Sequence, residues 1–326
     1  MTNEDRLFPA DWQNAPRYAG AYSFMRLPLS RDLTKADVAI VGAPFDIGVV
    51  HRPGARFGPR AIRNASAQVR PYPMEAKDLW GPFTRLRVLD YGDVDVVPAY
   101  IDENLNRIRD TLAPIFAAGV TPIVLGGDHT ITLPVLRACA PAHGPVSLVH
   151  FDSHPDYWPP PSPERPYHHG TVYRIAEQEG LIRLDTSVQV GIRGTISMAI
   201  VEECRAAGFH LITADEFAAQ GVAATVAQIR ERVQGPVYLS FDIDAADPAF
   251  APGTGTPEVA GLTSRELMAI VRGLRGLDVV AFDVVEVAPP YDHAEITSLL
   301  AANLVYEFLE IRAARPERSA TEEGPS

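Results

Sequence analysis

The sequence has 326 residues, 46% hydrophobic and 21% charged, which supplies a large apolar core and excludes wholesale disorder. A formal charge of −12 excludes the basic face that a nucleic-acid binder presents and would suit a cationic substrate. Only two cysteines occur, Cys139 and Cys204, without CxxC spacing, which excludes a disulfide framework or a zinc ribbon. Met1 to Asp11 shows no basic-then-apolar leader, and no run reaches the ~20 apolar residues of a membrane span, so a soluble cytoplasmic protein with no membrane partner is expected.

Short apolar, β-branched runs alternate with helical patterns. In chain order the spacing predicts a strand over 37–42, helices over 59–66 and 103–118, a strand over 122–125 and a helix over 131–138. A strand over 146–151, a helix over 172–179, a strand over 188–191, a helix over 197–207 and a strand over 209–212 follow. A helix over 222–233, a strand over 237–241, a helix over 264–274, a strand over 279–285 and a helix over 295–312 complete the chain. Continuous apolar strands, each followed by a helix, indicate an α/β fold with three α/β/α layers and a mainly parallel sheet. No repeat or linker divides the chain, so 1–326 reads as one domain, with 1–36 an N-terminal extension and 316–326 a flexible tail. Residues 67–100, rich in proline and aromatics, read as a surface wrap. The loop 158–169 holds Pro159, Pro160, Pro161, Pro163 and Pro166, and is either a stiff wall that selects substrate or an ordinary surface loop.

Acidic and histidine residues collect just after three of the strands: Gly126-Gly127-Asp128-His129, Asp152-Ser153-His154-Pro155-Asp156 and Asp242-Ile243-Asp244. In an open α/β sheet the carboxyl ends of strands are where ligand sites form. With residues two apart facing the same way, Asp152, His154 and Asp156 can converge, as can Asp242 and Asp244. Carboxylates aimed at one spot repel, and divalent cations resolve that conflict; oxygen and imidazole donors suit ions such as Mn²⁺. Taken singly, GGDH also reads as a strand-to-helix turn with Asp as N-cap, and DxH or DxD as a loop Asx turn. Their joint occurrence, each after a strand, favours metal.

These three segments, the last extended as Ser240-Phe241-Asp242-Ile243-Asp244-Ala245-Ala246-Asp247-Pro248, resemble the signatures of the ureohydrolase (arginase/agmatinase) family, and the resemblance covers nearly the whole chain. Phe24-Met25-Arg26-Leu27-Pro28, Arg52-Pro53-Gly54-Ala55-Arg56-Phe57-Gly58-Pro59-Arg60, the stretch from Ala249 to Glu258 and that from Val284 to Asp292 resemble its agmatinase branch. The resemblance implies about eight strands, a homotrimer or homohexamer, and two Mn²⁺ per subunit, with Ni²⁺ not excluded by ligand type. It implies that His129, Asp152, Asp156 and Asp242 hold one ion, and Asp152, His154, Asp242 and Asp244 the other. Glu286 would receive a guanidinium, the planar donor set that a carboxylate grips with two oxygens, and His169 would shuttle protons.

The implied reaction is hydrolysis of a linear guanidino compound to urea and an amine, with agmatine to putrescine first and 4-guanidinobutyrate or another guanidino acid as the alternative. Asp156 would carry the proton that the leaving amine needs. Tyr157 and Trp158, with the proline loop, depart from the usual pattern and are expected to shape the substrate pocket. Ser153 stands where alanine is usual, and strand alternation points its side chain away from the metals. His150 shares strand parity with Asp152, and is expected to be a packed histidine. A metallophosphoesterase would place DxH first and require an Asn-His pair, which is missing; a deacetylase would need one metal and a tyrosine. A catalytically silent metal-binding subunit is the reading from a different class, and urea production by the isolated protein separates the two.

Overall fold

The structure, a computed structural model, describes residues 16–70 and 81–315. Eight β-branched or apolar runs form strands: β1 (Val38–Ala43), β2 (Val88–Asp93), β3 (Thr121–Gly126), β4 (Ser147–Phe151), β5 (Val188–Ile192), β6 (His210–Thr213), β7 (Val237–Asp242) and β8 (Val279–Val285). They pair in parallel in the order β2-β1-β3-β8-β7-β4-β5-β6. Every residue of β1, β3, β4, β5, β7 and β8 is buried, so both faces of the sheet must be covered.

The helices are α1 (Gly58–Ser66), α2 (Ile101–Ala117), α3 (Thr132–His143), α4 (Val172–Gln178), α5 (Met198–Ala207), α6 (Ala214–Arg232), α7 (Ser264–Gly273) and α8 (Ile296–Ala313). Ile62 of α1, Ile229 of α6, Ile270 of α7 and Phe308 of α8 share one core with one sheet face. Ile108 of α2, Leu136 of α3, Tyr173 of α4 and Val201 of α5 share the second core. The expected three layers are therefore present. Capping boxes from Thr213 to Glu216 and from Thr263 to Glu266 start α6 and α7, each contributing about 1 kcal/mol.

The expected surface wrap over 67–100 is corrected where it is described, because Val88–Asp93 is an edge strand with Val88, Leu89 and Asp90 fully buried. Its apolar run is interrupted by Asp90, whose buried charge is paired with Arg63 of α1, which grips it with Nε and Nη2 at 2.8 and 2.9 Å. Part of the N-terminal extension also joins the core: Phe24 is buried and its amide donates to Asp90 at 2.7 Å. α6 begins eight residues before the expected helix and absorbs the difference in a kink at Gly221, whose φ is +76°. Residues 1–15, 71–80 and 316–326, which include the leader reading and the tail, lie outside the described residues.

Connectivity places the site. After β3 the chain skips two positions to form β4, and β8 and β7 later fill that gap. The four adjacent central strands β3, β8, β7 and β4 thus end side by side, and each delivers an acidic or histidine segment to one edge.

Candidate functional site

β3 runs into Gly126-Gly127, where a Cβ on Gly127 would lie 1.9 Å from the carbonyl of Phe45, so only glycine lets the two backbones meet. Asp128 caps the following turn, accepting the Thr130 amide at 2.8 Å on one oxygen and the Gly48 amide at 2.7 Å on the other. Burial and the nearby Glu286 carboxylate raise it to about 7. This aspartate is the turn-former, and its neighbour His129 carries the chemistry.

The His129 ring is fully buried. Its Nδ1 lies 2.8 Å from Asp156, 3.2 Å from Asp152 and 3.3 Å from Asp242, yet makes no hydrogen bond. Its Nε2 meets Ser240 Oγ at 2.9 Å and the Tyr173 hydroxyl at 3.1 Å. Ser240 donates its own proton to the buried Asp283 at 2.7 Å, so toward His129 it can only accept. That ordering puts the ring proton on Nε2 and turns the Nδ1 lone pair toward three carboxylates, the arrangement of a metal-ligating histidine.

A second half lies beside the first. His154 Nδ1 is 3.1 Å from Asp244 Oδ2 and 3.3 Å from Asp152 Oδ1, and the ligand atoms of these three residues lie within 4.8 Å of one another. Asp152 belongs to both halves. Burial, then the neighbouring carboxylates, push Asp242 and Asp244 above the usual carboxylate range, whereas the surrounding histidines hold Asp152 well below it despite its burial. Buried carboxylates in conflict around an orphaned imidazole nitrogen fit a pair of divalent cations.

The structure thus brings together His129, Asp152, His154, Asp156, Asp242 and Asp244. His150 is also buried at the site, where its Nε2 meets Asp152 at 2.9 Å and its Nδ1 accepts from Gln189 at 3.1 Å. With both nitrogens occupied, it orients Asp152. Ser153 is a correction: its hydroxyl points inward, donating to Asp244 Oδ1 at 2.7 Å and meeting His154 Nδ1 at 3.1 Å. β4 ends at Phe151, and the Asp152 side chain accepts the His154 amide at 2.6 Å in an Asx turn, so strand alternation no longer holds.

Glu286 follows β8 and is fully buried. Its Oε1 accepts from the His129 amide at 2.8 Å and from His169 Nδ1 at 2.9 Å, while Oε2 is buried and has no partner. A Cβ on Gly255 would lie 3.4 Å from that oxygen and 3.1 Å from the Arg52 carbonyl, so the glycine keeps a side chain out of the slot between these two acceptors. Burial opposes charge on His169, but Glu286 beside it, with Asp156 and Asp128, raises it to about 9. The Val50 amide lies 3.3 Å from its Nε2, a contact that is a hydrogen bond only in the neutral ring and is lost when His169 is protonated. Asp156 and Glu286 both hold left-handed backbone, with φ of +46° and +63°, a costly conformation for such residues and one that clusters at active sites.

Tyr157 does not line this pocket. Its ring is buried in the helical layer under the Arg174 guanidinium and against Phe209, with its hydroxyl donating to Glu177, because the left-handed Asp156 turns the next residue outward. Trp158 does reach the rim, its ring 6.4 Å from that of His154. The loop beyond it is tied back by the Trp158 amide donating to Gly170 at 3.0 Å. Sequence reasoning gave Arg193 no role. Its guanidinium donates to the carbonyls of Asp244 at 2.9 Å, Ala246 at 3.2 Å and Glu258 at 2.8 Å, clamping the Asp242–Asp244 turn; an arginine after β5 carries no local pattern that signals this.

Among the described residues no helix is long and apolar enough to cross a membrane. Residues 36–310 match the Arginase family. The chain is 43% identical over 325 residues to a guanidinopropionase of Pseudomonas aeruginosa, covering 98% of this chain and 100% of that protein. It is 44% identical over 303 residues to a mitochondrial agmatinase of Gallus gallus, covering 92% of this chain and 88% of that protein. The solved structure of proclavaminate amidino hydrolase from Streptomyces clavuligerus superposes with a TM-score of 0.87 at 42% identity, covering 92% of this chain and 99% of that one. With a family match over most of its length and a solved relative of the same architecture, the chain belongs to the arginase family.

Proposed function

We propose that this chain hydrolyses a linear guanidino compound to urea and an amine, with His129, Asp152, Asp156 and Asp242 holding one divalent cation and Asp152, His154, Asp242 and Asp244 the second. The observation that carries this reading is the pairing of an unpartnered, buried Glu286 oxygen with a carboxylate-lined histidine nitrogen in one cleft. Two bound cations, Mn²⁺ by donor type and Ni²⁺ by the same argument, supply the Lewis acidity that makes water a nucleophile near neutral pH.

The protein's own groups do the rest. Glu286 Oε2 accepts guanidinium N–H donors in the slot beside Gly255, a charge-assisted grip that presents the central carbon to the cleft. Oε1, held by His129 and His169, keeps the carboxylate from rotating away. Asp156 faces the same cleft from a strained backbone position and takes the proton that water gives up. It then delivers that proton to the departing nitrogen, since a neutral amine leaves far more readily than an amide anion. His169, raised to about 9, is a proton reserve at the mouth.

Agmatine is the first substrate of this reading. A guanidino acid is the second, supported by the match over the full length of a guanidinopropionase. Urea release from agmatine, 4-guanidinobutyrate, 3-guanidinopropionate, arginine and guanidine by Mn²⁺- and Ni²⁺-loaded protein tests both. Urea from one compound, lost in Asp152→Asn, is the expected result. No urea from any of them, with two ions bound per chain, would reject these substrates and favour a silent metal-binding subunit.

A further inference from the structure

Two segments frame the way out of the Glu286 slot. After β8 the chain supplies Glu286, fully buried, and then Tyr291, 36% exposed. After β1 it supplies a loop, residues 46–56, whose ends are drawn together by one buried carboxylate. Asp46 accepts the Gly54 amide at 2.7 Å and pairs with the Arg56 side chain. Between those ends, the Arg52 carbonyl and Glu286 Oε2 both lie within 3.4 Å of the point where a Cβ on Gly255 would sit. The backbone of Arg52 thus reaches the slot. Its side chain is half-buried and lays the guanidinium over the Tyr291 ring, 5.3 Å from the centroid.

The two arginines flanking Gly54 are used differently. Arg56 is spent on Asp46, whereas Arg52 has no carboxylate partner among the described residues and is held by the aromatic face. The acids that follow Tyr291 are committed elsewhere. Asp292 accepts the Thr297 and Ser298 amides, each at 2.8 Å, and Glu295 accepts from Asn64 at 2.8 Å. A guanidinium stacked on a ring keeps its edge N–H donors free, and that edge matches a carboxylate with two parallel hydrogen bonds.

We propose that Arg52 selects the substrate's tail: its guanidinium pairs with a carboxylate carried two or three methylenes from the guanidino group, which favours a guanidino acid over a guanidino amine. This rests on the guanidino reading above and chooses the second of its two substrate classes. With the head of the substrate buried against Glu286, the tail must leave past the rim that Arg52 and Tyr291 form. A carboxylate there meets an unpaired cation, and the ammonium of agmatine meets like charge. The proline loop adds no bias of its own, since Glu164 and Arg165 are both exposed and of opposite sign.

Urea release from the guanidino panel by the full-length, Mn²⁺-loaded protein gives kcat/KM for each compound. The wild type is expected to prefer 3-guanidinopropionate or 4-guanidinobutyrate to agmatine. A charge-assisted hydrogen bond is worth roughly 10- to 100-fold in binding, so Arg52→Gln should lower the acid-to-amine ratio by that factor, through KM. Arg52→Lys keeps the charge and should retain much of the ratio. Tyr291→Leu removes the face that holds the guanidinium and should lower the ratio roughly 2- to 5-fold. Added salt should reduce the wild-type ratio and leave that of Arg52→Gln flat. A wild-type preference for agmatine, arginine or free guanidine, or an equal loss on acid and amine in Arg52→Gln, would overturn the proposal. No urea from any compound would instead overturn the guanidino reading, so the two failures are distinct.

Discussion

The metal cradle and the Glu286 slot share one cleft but are built on opposite terms. In the cradle, buried carboxylates face one another and an imidazole nitrogen without a hydrogen bond; burial and the charges of Asp244 and Asp152 push Asp242 up, and burial and the charge of Asp152 push Asp244 up. In the slot a single carboxylate has one oxygen fully engaged and the other held open beside a glycine. The cradle is therefore completed by cations, and the slot is organised by the protein alone. Activity needs both, yet damage to each should leave a different signature.

The sharpest way to separate them is to remove one charge from each. Asp242→Asn takes a proposed bridging ligand from the cradle. Uncompensated changes at buried charges cost about 3–5 kcal/mol, so kcat/KM should fall roughly a thousandfold or more, together with the metal content measured by atomic spectroscopy. Retention of two tightly held ions in this variant would contradict the assignment of Asp242. Glu286→Gln should behave otherwise. Losing a charge-assisted hydrogen bond costs about 3 kcal/mol, a fall in kcat/KM of roughly a hundredfold, with both ions retained. If Glu286→Gln stripped metal as well, the cradle and slot would be one unit and the comparison would fail.

The same contrast explains what could be read from the sequence. The convergence in the cradle was legible because histidines and aspartates recur at the ends of three strands and because parallel α/β topology sends those ends to one edge. The Asx-turn reading of DxH and DxD holds in the structure: Asp152 accepts the His154 amide at 2.6 Å and Asp242 the Asp244 amide at 2.8 Å, so the turns set where these side chains converge. That turn is why Ser153 was misjudged, since two-residue alternation stops where β4 stops. Tyr157 was misplaced for a related reason, the left-handed backbone of Asp156, which no periodicity encodes. β2 was hidden because its buried Asp90 depends on Arg63, 27 residues earlier in the chain. The slot was nearly silent. Glu286 stood out only through its motif, and Gly255, where an added Cβ would lie 3.4 Å from Oε2, approaches it between loops in a way that local sequence does not report.

Gly255 offers the smallest and most discriminating test of that slot. A methyl group there would sit 3.1 Å from the Arg52 carbonyl and 3.4 Å from Glu286 Oε2, so one neighbour must yield while the carboxylate is merely crowded. Neither atom belongs to the cradle. Overpacking of this kind costs about 1–3 kcal/mol, and here it falls on the space assigned to a guanidinium in the proposed function. Gly255→Ala should therefore raise KM about tenfold, near the lower end of that range, with kcat and metal content close to wild type. Since the methyl group meets the head of the substrate, the penalty should be the same for an amine-tailed and a carboxylate-tailed guanidino compound, read by measuring KM for whichever members of the panel are turned over. A fall in kcat at constant KM would mean that the added group disturbs Glu286 in the transition state, and the slot would then be a part of the reacting centre more than a binding recess.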